Sequence, residues 1–203
     1  MSSTPTGDLL RLANWWREHG PRSERQVAWI VDPADAQAAK SAIDHAVDSG
    51  ATLIALLARG NEIAARTAIC VGAKVTPVHV RDQPDSMSDF AWMGEVAAIR
   101  DMRASGDGAT TDPLIHAAAS ALAAARSRAT PVIFDGLTAH AGAMVTGSFD
   151  ASWLPASTST DPAITVAQGF WRVEPALDLH LRSEDDLGIR AVLALLGLVT
   201  TDD

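Results

Sequence analysis

The stretch ATLIALLARGNEIAARTAICVG, residues 51–72, contains one complete strand–turn–helix unit. Its first part, Ala51 to Leu57, is a continuous apolar run of strand length, and the polar turn Arg59-Gly60-Asn61 ends it. Its second part, Glu62 to Gly72, is typical of a helix. Because the apolar run does not alternate with polar residues, we expect a strand that is buried on both faces.

Similar units lie on both sides of this stretch. Apolar runs at Val27–Val31, Val75–Val80 and Pro131–Phe134 predict three further strands. Helices are predicted at Asp8–His19, Ala34–Asp48, Asp89–Arg103, Pro113–Arg128, Ile164–Phe170 and Asp185–Leu198. Strands that alternate with helices predict an α/β fold. We expect a three-layer, doubly wound, mostly parallel sheet with helices on both faces, of the Rossmann-like kind.

The chain of 203 residues predicts one α/β domain, since it shows no internal repeat and no clear linker. Residues 1–25 are expected to form a helical N-terminal extension, with Asp8 as the cap of its helix. Residues 151–203 are expected to form a less regular, helical C-terminal part. The single cysteine, Cys70, forms no internal disulfide, which suits a cytoplasmic protein.

Composition and charge exclude several classes of function. The net charge of −9 and the lack of a basic stretch argue against nucleic-acid binding. No apolar run approaches the roughly 20 residues that cross a membrane, and the N-terminus lacks a secretory signal. The sequence has neither a glycine-rich nucleotide fingerprint nor a Cys/His pattern of metal ligands, so no cofactor or metal is predicted. The six histidines are expected at the surface or its boundary.

Two groups of carboxylates are candidates for a site. In parallel sheets, ligands bind beyond the carboxyl ends of the strands. Asp135-Gly136 directly follows a predicted strand, where Asp135 either faces a ligand or caps a helix that begins near Thr138. The segment Arg182-Ser183-Glu184-Asp185-Asp186 precedes the last helix, where its acids either form part of a site or balance the helix dipole.

Four segments follow the order and spacing of one known family. Pro131–Gly136 matches the pattern Pro-Val-x-x-Asp-Gly, and Ser159–Ala163 matches Ser-x-Glu-Pro-Gly. Pro175–Ile189 matches Pro-Leu-Leu-Asp-Leu-x-Met-Arg-Leu-Gly-Glu-Gly-Thr-Gly-Ala, and Gly60–Ala68 corresponds to Gly-Glu-Met-Gly-Ile-Gly-Asn-Thr-Thr. The chain therefore resembles the nicotinate-nucleotide:dimethylbenzimidazole phosphoribosyltransferase family of cobalamin biosynthesis.

The resemblance implies a reaction and a set of roles. A carboxylate removes a proton from dimethylbenzimidazole, whose other nitrogen attacks the ribose of nicotinate mononucleotide and displaces nicotinate. The family's base aligns with Asp185, and Glu184 stands one position earlier. Substrate-binding roles are implied for Gly60, Asp135, Gly136, Ser159 and Arg182, with Arg66 and Arg81 as cations for the phosphate. Aspartate is one methylene shorter than glutamate, and a misplacement of about 1 Å costs on the order of 100-fold in rate.

The chain also departs from the family pattern. Side chains replace most of the glycine turn after Gly60, and Glu184 and Asp186 stand where the family has glycine. Family members are much longer, so a complementing subunit or a homodimer is expected. Apolar surface for such contacts is offered by Trp15, Trp16, Trp92 and Trp171, unless these residues lie in the core. The alternatives are a non-catalytic binding or regulatory protein on the same scaffold, and an unrelated ligand at the strand ends.

Overall fold

The computed structural model describes residues 5–20, 25–83, 87–105, 112–181 and 186–199. The helices are α1 (Pro5–His19), α2 (Ala36–Asp48), α3 (Glu62–Gly72), α4 (Asp89–Ser105), α5 (Pro113–Ser127), α6 (Leu137–Val145), α7 (Pro162–Trp171) and α8 (Leu187–Val199). The strands are β1 (Val27–Val31), β2 (Leu53–Leu57), β3 (Val132–Asp135), β4 (Trp153–Pro155), β5 (Ser157–Ser159) and β6 (Leu177–Leu181). A short 3-10 helix spans Pro77–His79.

Four parallel strands form the main sheet in the order β1-β2-β3-β4. Every residue of β2 and β3 is buried, as the unbroken apolar runs predict. Leu57 lies opposite Val31 on one side and Asp135 on the other, so the carboxyl ends of three strands lie side by side. We call this end of the strands the sheet edge. The loops that follow these strands therefore meet at that edge.

Helices cover both faces of this sheet. Ile54, Leu56 and Phe134 pack against α2, α5 and α6. On the opposite face, Leu53, Ala55 and Ile133 pack against α1 and α8. The expected α/β class, with a parallel sheet between two helical layers, is confirmed. Because the strands follow one another in consecutive order, right-handed crossovers place the connecting helices on one face of the sheet. The terminal helices α1 and α8 form the layer on the other face.

The C-terminal part is more regular than the sequence predicts. β4 extends the main sheet beside β3, and β5 pairs with β6 in a second, parallel sheet. These strands have only three to five residues, and each contains proline or polar residues, so the apolar-run criterion does not detect them. The pairing of β5 with β6 is irregular, and His180 of β6 has a φ of 49°.

Several sequence predictions are wrong in detail. Val75–Val80 is not a strand, because Pro77 begins the 3-10 helix and only Val80, at that helix's C-terminal side, is buried. Asp8 does not cap α1, which begins at Pro5; its carboxylate instead pairs with Arg11 at 2.7 Å. Trp15 and Trp16 are buried in the layer between α1, α8 and the sheet, so they offer no contact surface.

The sequence also predicts no membrane-spanning helix. In the described ranges, no helix is long and apolar enough to cross a bilayer.

Candidate functional site

A cleft of about 230 Å³ opens at the carboxyl ends of the main-sheet strands. We call it the strand-end cleft. It is lined by Asp32, Pro33, Ala58, Arg59, Gly60, Leu114 and Thr138. Of the predicted site residues, Gly60 lines it directly. Its place beyond the strand ends is where parallel α/β sheets bind ligands.

An ion pair joins the loops after β1 and β2 at this cleft. Asp32 accepts hydrogen bonds from the Arg59 backbone N–H at 2.9 Å and from the side-chain Nε at 3.0 Å. The Asp32 carboxylate, with a smaller contribution from Asp186, raises the pKa of Arg59. Sequence reasoning missed both residues, although each follows a predicted strand by no more than two positions.

Gly60 continues the turn that Arg59 begins. Its φ of 62° is in the left-handed region, and a Cβ there would lie 2.6 Å from the Thr138 Oγ1 atom. The Thr138 hydroxyl donates to the Arg59 carbonyl. The glycine therefore lets the β2 loop and the start of α6 approach closely, which shapes one wall of the cleft.

Asp135 and Gly136 form the turn at the end of β3. Asp135 is only 5% exposed, and its Oδ1 atom accepts the backbone N–H of Gly136 at 2.8 Å. Gly136 occupies the N-cap position of α6 without a side-chain hydrogen bond. The alternative that Asp135 caps this helix is thus excluded, and its carboxylate is oriented by the turn itself.

The start of α8 lies against this carboxylate. A Cβ on Gly188 would be 2.5 Å from the Asp135 Oδ2 atom, 3.3 Å from the Ala156 Cβ and 3.4 Å from the Ser157 Cβ. Only the missing side chain of Gly188 allows this approach. The backbone of α8 therefore begins beside Asp135, at the edge of the sheet that carries the strand-end cleft.

Asp186 is the last acid of the predicted acidic segment and lies within the described residues. Its carboxylate accepts a hydrogen bond from Arg190 Nε at 2.7 Å. This bond, together with the charges of Arg190 and Arg59, lowers the pKa of Asp186. Gly188, two residues further on, lies against Asp135, so Asp186 stands near the same end of the sheet. Arg182, Glu184 and Asp185, the other predicted residues of this segment, lie outside the described residues.

Ser159 of β5 is hydrogen-bonded to the last residue of β6, the strand that precedes the acidic segment. Its Oγ donates to the Leu181 carbonyl at 3.1 Å and accepts the Asp161 backbone N–H at 3.0 Å. The Thr160 N–H also donates to the Leu181 carbonyl, at 3.1 Å. Ser159 therefore anchors the chain one residue before Arg182.

The predicted phosphate role of Arg66 is corrected by its contacts. Its guanidinium, on a side chain only 4% exposed, makes two hydrogen bonds of 2.8 Å to the Asp161 carboxylate and one of 2.7 Å to the Val80 carbonyl. A charge that is buried and paired in this way is not available to a ligand. Arg66 instead joins α3 to the start of α7.

Replacing Arg66 with methionine tests this structural role. Because it leaves the Asp161 carboxylate without its buried partner, we expect the free energy of unfolding to fall by about 3 kcal/mol. Urea denaturation measures this change. The double variant Arg66→Met/Asp161→Asn should recover part of the loss. An Arg66→Met protein of unchanged stability would contradict the assignment.

Arg81 is likewise committed elsewhere. Its guanidinium pairs with Glu95 of α4, and its carbonyl accepts the Trp92 indole N–H at 3.0 Å. These contacts hold the loop after the 3-10 helix against α4. The prediction that Arg81 supplies a charge to a phosphate is therefore not supported by its position.

His140 of α6 contradicts the prediction that the histidines lie at the surface or its boundary. It is fully buried, its ring packs at a tilt against Phe134, and its Nδ1 lies 2.9 Å from the Gly136 carbonyl. Burial lowers its pKa from 6.5 to about 4. A carbonyl can only accept, so Nδ1 carries the proton of a neutral imidazole.

The low pKa of His140 predicts a pH-dependent stability. Between pH 6.5 and 4 the unfolded chain binds a proton at this residue and the native chain does not, so the free energy of unfolding decreases as pH falls through this window. We expect a contribution of about 3 kcal/mol. Urea denaturation at about pH 7, 5.5 and 4.5 measures it. His140→Gln should lose this contribution; an identical pH slope in that variant would contradict it.

No cluster of three or more histidine, cysteine, aspartate or glutamate side chains with the geometry of a metal site occurs among the residues that the structure describes. The polar groups at the sheet edge are instead an ion pair, a hydroxyl and the turn-bound carboxylate of Asp135. Such an arrangement suits an organic ligand held between strand-end loops.

The fold and the cleft define an α/β protein with a candidate small-ligand site at its strand ends. The comparison with families is more specific. The phosphoribosyltransferase family model DBI_PRT matches residues 34–200. The chain belongs to this phosphoribosyltransferase family.

Individual relatives agree with this placement. The chain is 28% identical over 181 residues to nicotinate-nucleotide–dimethylbenzimidazole phosphoribosyltransferase of Mycobacterium avium, covering 78% of this chain and 52% of the relative. It is 28% identical to the enzyme of that name from Corynebacterium glutamicum, covering 95% and 62%. The chain is therefore a divergent relative, and it spans about half the length of the mycobacterial protein.

A solved structure supports the fold. The crystal structure of CobT from Thermus thermophilus superposes with a TM-score of 0.68 at 18% identity, covering 81% of this chain and 55% of that chain. At this identity the similarity concerns the fold.

Proposed function

We propose that this chain is a phosphoribosyltransferase that moves phosphoribose from nicotinate mononucleotide to a benzimidazole-type base. The observation that supports the proposal is the close approach of Gly188 to the Asp135 carboxylate. A Cβ added to Gly188 would lie only 2.5 Å from the Asp135 Oδ2 atom. This approach brings the start of α8, and with it Asp186, to the sheet edge where the strand-end cleft opens. The family's catalytic motif ends at this position in the chain.

The proposed chemistry is general-base catalysis of an N-glycosyl transfer. The carboxylate of Asp185 removes the proton from one imidazole nitrogen of the base, and the other nitrogen forms a bond to the ribose C1′ atom. The bond between C1′ and the nicotinate nitrogen breaks, nicotinate leaves with that electron pair, and C1′ inverts. Glu184 is the neighbouring candidate for the proton acceptor. A base must reach its proton within hydrogen-bonding distance, so its placement decides the rate.

Binding roles are proposed for residues around this centre. Gly60 is proposed to form part of the wall that contacts the ligand, because it lines the cleft. Asp135 and Gly136 are proposed to shape the binding site through the turn that they form at the end of β3. Ser159 anchors the strand before Arg182, which is proposed to contact the phosphate. Arg59 adds a cation at the cleft that the family pattern does not assign.

A second candidate, a binding or regulatory protein without transfer activity, is favoured by a specific observation. Both arginines expected to neutralise the phosphate, Arg66 and Arg81, are paired with carboxylates outside the cleft. The Arg59 side chain is also paired, with Asp32 at 2.5 Å. A phosphate ligand would compete with these carboxylates, which weakens its binding.

A direct assay separates the two candidates. The purified chain is mixed with nicotinate mononucleotide and dimethylbenzimidazole, and mass spectrometry detects α-ribazole phosphate. Its formation supports the transferase. A thermal-shift screen of the same compounds finds a binder, since a ligand at about 100 times its Kd adds about 2.7 kcal/mol of stability. Ligand binding without product would favour the second candidate.

Asp185→Asn is expected to abolish transfer while the protein remains folded. Asparagine keeps the size of the side chain but cannot accept the proton, so the loss should be at least about 100-fold. The product assay measures it, with circular dichroism as the check on folding. Asp101→Asn is the matched control, because Asp101 is exposed on α4 beside Arg100. Unchanged turnover in Asp185→Asn would exclude Asp185 as the base.

We also propose that the active protein is an assembly, formed either with another copy of this chain or with a different subunit. Light scattering of the purified chain tests for a homodimer. A monomer that gains transfer activity only with a partner protein would indicate a heteromer.

A further inference from the structure

Two polar side chains are buried between the main sheet and the two-stranded sheet of β5 and β6, which we call the small sheet. His140 of α6 is fully buried, and Gln168 of α7 is 7% exposed. Polar groups in such positions cost stability unless they are hydrogen-bonded, so their partners show what they hold in place.

His140 binds the turn that carries Asp135. Both its ring Nδ1, at 2.9 Å, and its backbone N–H, at 3.2 Å, are directed at the Gly136 carbonyl. The two contacts fix the peptide that follows Gly136. Because Asp135 Oδ1 in turn accepts the Gly136 N–H, the orientation of this carboxylate depends on the same turn.

Gln168 continues the link to the small sheet. Its Nε2 donates to the Ser157 carbonyl at 3.0 Å and lies 3.4 Å from the His140 Nε2 atom. An amide nitrogen has two protons, so one is available for each contact. The imidazole Nε2 is then the acceptor, which agrees with a proton on Nδ1.

Ser157 and Asp135 together support the start of α8. Gly188 lies against both residues, because a Cβ on it would be 2.5 Å from the Asp135 Oδ2 atom and 3.4 Å from the Ser157 Cβ. The chain of contacts thus runs from Gly136 through His140 and Gln168 to Ser157, and both of its ends meet under Gly188.

We propose that His140 and Gln168 are positioning residues, which hold the Asp135 turn and Ser157 at the spacing that seats the start of α8. This inference deepens the proposed function and rests on it for the catalytic consequence. Neither residue lines the strand-end cleft. Their effect on a ligand is transmitted by the positions of Gly188 and Asp186 at the start of α8.

The first test compares two substitutions in α7. Gln168→Met keeps the side-chain volume and removes both hydrogen bonds. Ile164→Val is the control, because Ile164 is fully buried in the same helix and loses only packing. Amide hydrogen exchange is followed at Arg190, whose N–H donates to the Asp186 carbonyl at 3.0 Å in the first turn of α8.

We expect Gln168→Met to accelerate exchange at Arg190 at least tenfold relative to the amides of β2, and Ile164→Val to leave this ratio unchanged. Dividing the exchange rate at Arg190 by that of the β2 amides removes any effect of global stability. An unchanged ratio in Gln168→Met, or an equal increase in both variants, overturns the proposal.

The second test is rescue by a conservative variant. Asparagine at position 140 can place an amide donor near the Gly136 carbonyl, whereas leucine cannot. We expect His140→Leu to lower kcat for phosphoribosyl transfer about tenfold or more with little change in KM, and His140→Asn to restore part of it. Equal kcat in the two variants overturns the role of His140.

The two tests also separate this inference from the proposed function. A wild-type chain without transfer activity, alone and with a partner, would remove the proposed function. The exchange ratio at Arg190 is measured on the chain itself and needs no substrate, so it would still decide whether His140 and Gln168 position α8.

Discussion

Gly136→Ala is expected to lower the free energy of unfolding by about 4 kcal/mol or more, because conformational strain and overpacking act together. Gly136 has φ 95°, a conformation that costs an L-residue roughly 1–3 kcal/mol. A Cβ there would also lie 2.9 Å from the carbonyl carbon of Ala58, and closer still to its oxygen. Urea denaturation at neutral pH measures the loss.

The Ala58 backbone cannot easily move away from this clash. Its N–H donates to the Asp135 carbonyl at 3.2 Å, and its carbonyl accepts the Ala139 N–H at 3.1 Å. A shift would therefore break the hydrogen bonds that join the end of β2 to β3 and to α6. Overpacking that the backbone cannot relieve adds to the conformational cost.

Gly147→Ala is the matched control for this prediction. Gly147 has φ 73°, and a Cβ added there would meet no atom within 4 Å, so alanine introduces conformational strain alone. We expect a loss of about 1 kcal/mol. If the two alanine variants lost equal stability, the close contact between Gly136 and Ala58 would be contradicted.

Gly188→Ala is expected to reduce ligand binding and transfer on the order of 100-fold, with a smaller loss of stability. The new Cβ would lie 2.5 Å from the Asp135 Oδ2 atom, so either this carboxylate or the start of α8 must shift. A displacement of about 1 Å at a catalytic group costs a factor of this size. We expect a stability loss of about 1–3 kcal/mol from overpacking, reduced by the better helix propensity of alanine. The product assay and urea denaturation measure the two effects.

The control for Gly188 is Gly169→Ala in α7, where no atom lies within 4 Å of the added carbon. Alanine should stabilise that helix by up to about 1 kcal/mol and leave ligand binding unchanged. The double variant Gly188→Ala/Asp135→Ala removes the clash and should recover stability without recovering transfer. Full activity of Gly188→Ala would contradict the proposed site.

Much of the scaffold could be predicted from local sequence. The apolar runs at Val27–Val31 and Ala51–Leu57 contain strands of the parallel sheet, and Glu62–Gly72 is helix α3 with the predicted bounds. The prediction of β2 succeeds because burial on both faces needs unbroken apolar residues. The strand β1 has a similar apolar run, although it lies at the side of the sheet and is only partly buried. Val75–Val80 fails because Pro77 cannot donate to a strand ladder.

The site was only partly predictable for a different reason. Asp135-Gly136 could be found, because a polar residue after a buried strand marks the ligand edge of the sheet. The partners of Arg66 could not, since Asp161 stands 95 positions away. A cation beside a loop has the same local pattern whether it binds a phosphate or a carboxylate of its own chain.

The amino-acid sequence by itself determined the α/β class, the carboxyl-end placement of Asp135 and the family pattern around the last helix. Only the tertiary structure decided that Gly188 abuts Asp135, that Asp32 pairs with Arg59, and that His140 is buried. The physical reason is range: helix and strand formation depend on residues within a few positions, whereas these contacts depend on which distant segments the packed layers bring together.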